Sequence, residues 1–196
     1  MHDDGLGRHR AVKTKETRAR VEFFEWMEAL VMAFITVVLL LVFVFRVAGV
    51  EGSSMEPTLH SGDRIIISDV LFTPKRGDIV VVTKPNRENK NLVKRIVALG
   101  GETISLAPHG EGVYIDGKLL SEPYLMDLAG EAQDLKLPLT VPPGHVFVMG
   151  DNRYYSKDSR SASIGTVDER YLLGKFVIRV LPLQSFGPIK QEDGRG

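Results

Sequence analysis

A mainly β fold carried on a single N-terminal transmembrane helix is what the 196 residues predict, and three observations predict it. One long apolar run lies near the start, short runs rich in β-branched residues follow it, and nothing beyond the first run repeats its apolar residues every 3.6 positions. Because turn signals rather than helices separate the later runs, they are expected to pack as coiled antiparallel sheets.

The apolar run reads from Ala29 to Phe45 without a charge, a proline or a glycine, and Trp26, Met27, Val47 and Ala48 lengthen it. At about 1.5 Å per residue the central run rises roughly 25 Å, so with its flanks it matches the bilayer core. A helix apolar on every side needs lipid or a large protein around it, and this chain is too short to supply the second. Val47-Ala48-Gly49 has the look of a small-residue cleavage site, but the polar stretch ahead of the run and the run's length argue for an uncleaved anchor. Arg8, Arg10, Lys13, Lys15, Arg18 and Arg20 precede the run, whereas only Arg46 follows it closely. That bias places the N-terminus in the cytoplasm and the remainder outside, on a single-pass protein of the inner (plasma) membrane. The expected organisation is a cytoplasmic tail and juxtamembrane segment at 1–28, a transmembrane helix at 29–48, an extracytoplasmic β domain at 49–187 and a flexible tail at 188–196.

Within the β domain, strands are expected at Arg64–Ile67, Asp78–Val82, Val93–Leu99, Val113–Ile115, Val146–Met149 and Phe176–Val180, all short and mostly β-branched. Ser61-Gly62-Asp63, Arg76-Gly77-Asp78, Gly100-Gly101 and Pro142-Pro143-Gly144 punctuate them. Asp116-Gly117 predicts a two-residue hairpin, because both positions tolerate positive φ. Residues of about 106–141 are more polar and turn-rich, and read as a variable excursion from the main sheet.

Composition removes several functions. Lys and Arg number 25 and so do Asp and Glu, which leaves no basic footprint for nucleic acid. Without cysteine there can be no disulfide, thiolate metal site or thiol nucleophile.

Three segments carry candidate chemistry. In Gly52-Ser53-Ser54-Met55-Glu56-Pro57-Thr58-Leu59, the proline restricts the backbone near Ser54, a setting that can expose a hydroxyl. Ser54 lies eight residues past Arg46, so the chain holds it within about 28 Å of the helix end. A serine nucleophile needs a base. His2 and His9 fall on the cytoplasmic side, and His60 with Asp63 would be needed for a triad, with His109 and His145 in no recognisable motif. Lys94 is the other class of base, opening the apolar strand Lys94-Arg95-Ile96-Val97-Ala98-Leu99. A lysine at its ordinary pKa of about 10.4 is neutral in only about one molecule per thousand near pH 7.4, so the fold must bury Lys94 without a carboxylate partner. The third segment, Gly150-Asp151-Asn152-Arg153 through Ser156, Asp158, Ser159 and Arg160, follows a strand and suits either a solvated loop or a hydrogen-bonded wall.

Together these segments resemble bacterial type I signal peptidases, the membrane-bound leader peptidases. Ser54-Met55-Glu56-Pro57-Thr58-Leu59, Arg76-Gly77-Asp78-Ile79-Val80-Val81, Lys94-Arg95-Ile96-Val97-Ala98-Leu99 and Gly150-Asp151-Asn152-Arg153 through Arg160 stand in that family's order, over roughly residues 34–175. The resemblance implies Ser54 as nucleophile, Lys94 as general base and Ser156 as a hydroxyl bonded to that lysine. It implies structural support from Asp158 and Arg160, and supporting places for Gly52, Ser53, Met55, Pro57, Asp151, Asn152 and Arg153. Three departures stand out: Gly52 where some members have an oxyanion-binding serine, Gly100-Gly101-Glu102 in place of Pro-Gly-Asp, which is expected to loosen the turn after the lysine strand, and no aromatic residue in Ser161-Ala162-Ser163-Ile164-Gly165.

The implied activity is a serine endopeptidase that removes signal peptides from exported preproteins, using neither metal nor other cofactor. Its partners would be the preproteins and the lipid bilayer, with Ile66, Val80 and Val97 as candidate pocket walls. The rival readings are a self-cleaving Ser-Lys peptidase and a catalytically silent, membrane-tethered β domain that binds exported polypeptides.

Overall fold

The structure, a computed structural model, describes residues 5–70, 72–83, 91–107, 112–125 and 133–189. His109, parts of the expected excursion and the expected tail from residue 190 onward lie outside the described residues. The chain divides into two units, Met1–Val44 and Phe45–Gly196.

The first unit is helix α1, Gly5–Val44. It begins well before the point where a polar tail was expected to give way to helix, since residues 6–28 are rich in Arg, Glu, Lys and Ala, residues that lose little on entering a helix. The stretch Arg20–Val44 is long and apolar enough to cross a membrane. It stops short of the expected end at residue 48. Phe45–Gly49 forms β1 instead, paired antiparallel with β2, Arg64–Ser68, from Phe45 opposite Ser68 to Gly49 opposite Arg64.

The second unit is built on antiparallel pairing. Further strands are β3 at Ile79–Val82, β4 at Leu92–Leu99, β5 at Thr103–Leu106, β6 at Val113–Ile115, β7 at Lys118–Leu119, β8 at Leu139–Thr140, β9 at His145–Met149, β10 at Val167–Asp168 and β11 at Leu172–Leu181. They form a seven-stranded sheet in the order β1-β2-β11-β3-β4-β9-β10 and a four-stranded sheet in the order β7-β6-β5-β8. The six expected strands are all present. Asp116 and Gly117 adopt φ of 51° and 79° in the β6–β7 hairpin, the positive values that a two-residue turn matching strand twist requires.

All four residues of β3 are buried, and β4 is buried from Lys94 to Ala98, so both faces of the sheet centre are covered. One apolar cluster gathers Val50, Met55, Leu59, Ile65, Ile67, Ile79, Val81 and Phe176 beneath the β1–β2 loop. Another joins the sheets through Val97, Ile104, Val113, Ile115, Val141, Phe147 and Met149, which makes the expected excursion a packed second layer. Val97 in this second cluster and Val80, packed in a third with Val82, Ile96 and Val148, are fully buried and cannot wall a substrate pocket.

The turn after β4 is firmly held, contrary to the loosening expected from Gly100-Gly101-Glu102. Glu102 accepts a hydrogen bond from Leu99 N at 2.7 Å and pairs with Arg76, while Gly101 N donates to Val141 O at 2.8 Å. A side chain at Gly100 would come within 3.0 Å of Pro142 O, so the close approach itself requires glycine.

Candidate active site

Ser54 lies in the loop joining β1 to β2. Val50 N donates to Asp63 O and Gly62 N to Val50 O, both at 2.9 Å, which closes the loop at its base. Above that base the backbone turns through Glu56 N to Ser53 O and Leu59 N to Met55 O, and Met55 and Leu59 plug into the core below. Burial of those two side chains contributes several kcal/mol by area, on the order of 2 kcal/mol each. Gly52 takes φ of 81°, and Pro57 is exposed at the outer turn.

Lys94 sits on β4 opposite Val80 of β3 and is only 3% exposed. Its Nζ lies 2.6 Å from Ser54 Oγ. Burial strips water from the ammonium and pushes the pKa down to about 8, with Asp158 and Asp151 pulling it back up and Arg160 adding to the fall. Among the described residues Lys94 forms no ion pair, which is the condition a neutral amine demands.

The two carboxylates near the amine are already committed. Asp151 accepts from Arg95 Nε at 2.8 Å and Nη2 at 2.6 Å and from the Thr58 hydroxyl, with both members of the ion pair almost wholly excluded from solvent. Asp158 accepts from Arg160 Nε and Nη2, both at 2.9 Å, and from Gly150 N at 3.1 Å. Burial opposes ionisation of Asp158, yet those donors, the Arg160 guanidinium foremost, hold its carboxyl below the usual carboxylate range.

The loop after β9 meets the Ser54 loop at backbone distance, with Asn152 N donating to Ser54 O at 3.0 Å. Arg153 is buried, its Nε donating to Gly150 O at 2.8 Å. At Gly150 an added Cβ would fall 2.3 Å from Ser156 Oγ and 2.4 Å from Ser54 O. Gly150→Ala is therefore expected to cost about 1–3 kcal/mol of stability through overpacking, read from chemical denaturation. Ser156 itself is buried with its Oγ toward Asp158, whose pKa it helps to lower, and among the described residues it makes no hydrogen bond to Lys94.

The histidine alternative is not assembled. His60 is exposed, and Asp63 takes the backbone N of His60 at 3.0 Å and Arg179 Nη1 at 2.9 Å, leaving the imidazole ring unconnected to it. His145 Nδ1 lies 3.3 Å from Pro143 O.

A cavity of about 330 Å³ opens on the Ser54–Lys94 pair, lined by Gly49, Val50, Glu51, Met55 and residues 91–93 of the β4 entrance. A larger hollow of about 580 Å³ elsewhere is bounded by Ser68, Phe72, Lys175 and neighbours, none of them from the three segments singled out in the sequence. The smaller cavity is the one with chemistry in it: an amine with a lowered pKa can take the proton of a hydroxyl 2.6 Å away while that oxygen attacks an electrophile in the cavity.

The sequence matches the family described as "Signal peptidase, peptidase S26" over residues 23–181. It is 36% identical over 189 residues to a signal peptidase I of Bacillus licheniformis, covering 91% of this chain and 98% of that one. It is 40% identical over 169 residues to signal peptidase I T of Bacillus subtilis, covering 79% and 84% respectively. A signal peptidase I of Mycobacterium tuberculosis is 31% identical over 245 residues, with coverage of 95% and 83%.

Proposed function

The chain belongs to the signal peptidases of peptidase family S26, and from that membership we propose that it is a membrane-bound serine endopeptidase that cuts signal peptides from exported preproteins with Ser54 as nucleophile and neutral Lys94 as general base. The observation that carries this reading is the 2.6 Å approach of a buried, unpaired lysine amine to the Ser54 hydroxyl.

Ser54 Oγ attacks the scissile carbonyl carbon as its proton passes to Lys94 Nζ. The Ser54 backbone N–H receives the developing oxyanion, a contribution worth about 3 kcal/mol per donor. A side chain at position 52 supplies no second donor, because that residue is glycine. The Lys94 ammonium then protonates the departing amine as the C–N bond breaks, leaving an ester on Ser54. Water attacks the ester, gives its proton to Lys94, and Ser54 Oγ leaves with that proton restored. Asp151, Asn152, Arg153, Asp158 and Arg160 hold the surrounding loop, and Ser156, buried beside Asp158, is the hydroxyl available to orient the amine.

The apolar stretch of α1 serves as the anchor, with the N-terminus cytoplasmic and the β unit outside. Ser54, ten residues past Val44, then stays within about 35 Å of the membrane by chain length alone, the zone in which the residues just past a bilayer-embedded apolar segment are presented.

Cleavage of a signal-peptide-bearing preprotein by the purified full chain in detergent tests this reading. Its kcat/KM is expected to rise with pH, reach half its plateau near pH 8 and level off about one unit above, following loss of the Lys94 proton. His60→Ala should leave both rate and profile within about twofold, since the ring reaches neither Ser54 nor Asp63. A profile carried by His60, or no cleavage at all, overturns the assignment.

A further inference from the structure

Three arginines and three carboxylates are buried around the site and pair off one to one: Arg95 with Asp151, Arg160 with Asp158, and Arg153 with Glu122. Glu122 comes from none of the segments that carry the family resemblance. It belongs to the short stretch after β7, and its side chain is 5% exposed. Arg153 Nη1 donates to Glu122 Oε2 at 3.1 Å, Arg153 Nη2 donates to Oε1, and the Tyr124 hydroxyl donates to Oε1 at 2.6 Å. Burial first, and the Glu122 charge second, raise the Tyr124 pKa well above the usual phenol value, so Tyr124 is a permanent donor. Its ring also lies 3.9 Å beneath the Arg95 guanidinium, a cation–π contact. Two residues of one short stretch, Glu122 and Tyr124, thus touch two of the three arginines, Arg153 and Arg95.

The charges that act on Lys94 are Asp158 and Asp151, which favour its proton, and Arg160, which opposes it. Packed around them are Arg95 from β4, Arg153 from the loop after β9, and Glu122 with Tyr124 from the stretch after β7. Arg153 already feels Asp158. A buried guanidinium deprived of Glu122 must find another carboxylate, and Asp158 is the one within its influence.

We propose that Glu122, braced by Tyr124, is a positioning residue of the reaction: it keeps the Arg153 guanidinium off Asp158 and thereby fixes the carboxylate charge felt at Lys94. This rests on Lys94 being the base. With Glu122 neutralised, Arg153 adds positive charge to the surroundings and competes for Asp158, and both effects make Lys94 a weaker base.

The test is the pH profile of kcat/KM for the full chain in detergent on a synthetic preprotein. Glu122→Gln should move the acid limb down by about half a pH unit or more, roughly a threefold fall in proton affinity, besides lowering the plateau. Arg153→Met, which leaves Glu122 without its cation, should move the limb the other way, and the double variant should bring it back toward the wild-type position. Tyr124→Phe keeps the charge and should leave the limb where it is. A purely structural role would reduce the plateau or the stability and move no limb. An unmoved limb in Glu122→Gln overturns the proposal, and should that variant fail to fold, an unmoved limb in Arg153→Met does so. A wild-type profile without any limb attributable to Lys94 would sink the assignment of the base and this inference together, whereas a wild-type limb near pH 8 that ignores Glu122 sinks this inference alone.

Discussion

Ser54→Ala and Lys94→Met are each expected to lower preprotein cleavage by about ten-thousandfold or more, because in the proposed mechanism nucleophile and base act as a unit and the loss of either removes most of what both supply. The two variants part company in stability. Lys94 has its pKa lowered from 10.5 to about 8 by folding, so the unfolded chain holds the proton more tightly than the folded one. The folded state is therefore penalised wherever the unfolded lysine is charged, by roughly 3 kcal/mol below pH 8 at about 1.4 kcal/mol per tenfold in proton affinity. That penalty shrinks as pH rises from 8 toward 10.5 and then vanishes. Methionine fills the same space without a charge and forfeits one hydrogen bond to Ser54, so Lys94→Met should be more stable than wild type by about 1–3 kcal/mol at pH 7 and should lose that advantage near pH 10.5. Thermal or urea unfolding at the two pH values measures it. A variant that retains cleavage, or that is less stable at pH 7, would contradict a buried, unpaired amine at the site.

Asp151→Ala should be the most damaging single change to stability, at about 3–5 kcal/mol, because it leaves the Arg95 guanidinium buried without its counter-ion. That is a large share of the roughly 5–15 kcal/mol by which a domain of this kind is stable. The same change also releases Thr58 in the Ser54 loop, so cleavage should fall even where the protein still folds. The exposed Asp168–Arg170 pair gives the contrast: its arginine is 85% exposed, and Asp168→Ala should leave stability nearly unchanged. Replacing both Arg95 and Asp151 by apolar residues should recover much of the single-mutant loss, since the penalty comes from the orphaned charge and not from the missing attraction. Urea titration of the three variants decides the matter, and a cost for Asp151→Ala as small as that for Asp168→Ala would refute the account.

How far the sequence could be read differs between fold and site for physical reasons. The strands with four or more β-branched or apolar residues between glycine turns were legible, and so was the Asp116-Gly117 hairpin, because these signals are local. Phe45–Gly49 was not, since a short apolar stretch continuous with a membrane run carries no periodicity that separates strand from helix; only pairing with Arg64–Ser68 decides it. β5, β8 and β10 are two to four residues long and equally silent. At the site, Ser54 and Lys94 could be named because their flanking residues resemble a known arrangement. The Asp158–Arg160 pair, two positions apart, was also legible, but the other two pairings were not, because Arg95 and Asp151 are 56 positions apart and Glu122 and Arg153 are 31 apart. Charged residues in turn-rich stretches look like solvated surface until tertiary packing buries them. Ser156 marks another limit: resemblance joins its hydroxyl to Lys94, while in the fold it lies between Gly150 and Asp158 and, among the described residues, makes no bond to that amine.

The dryness of the arginine–carboxylate pairs reaches beyond the fold to the medium in which the protein works. Mobile ions weaken exposed charges over a Debye length of about 8 Å at physiological ionic strength, but they cannot enter a region where both members of a pair are excluded from water. Arg95–Asp151 and Arg160–Asp158 therefore keep their strength in brine and in dilute buffer alike, and the field they impose on the amine is set by the protein and not by its bath. With the β unit outside, as proposed, the hydrolase would carry its own constant electrolyte into that exterior.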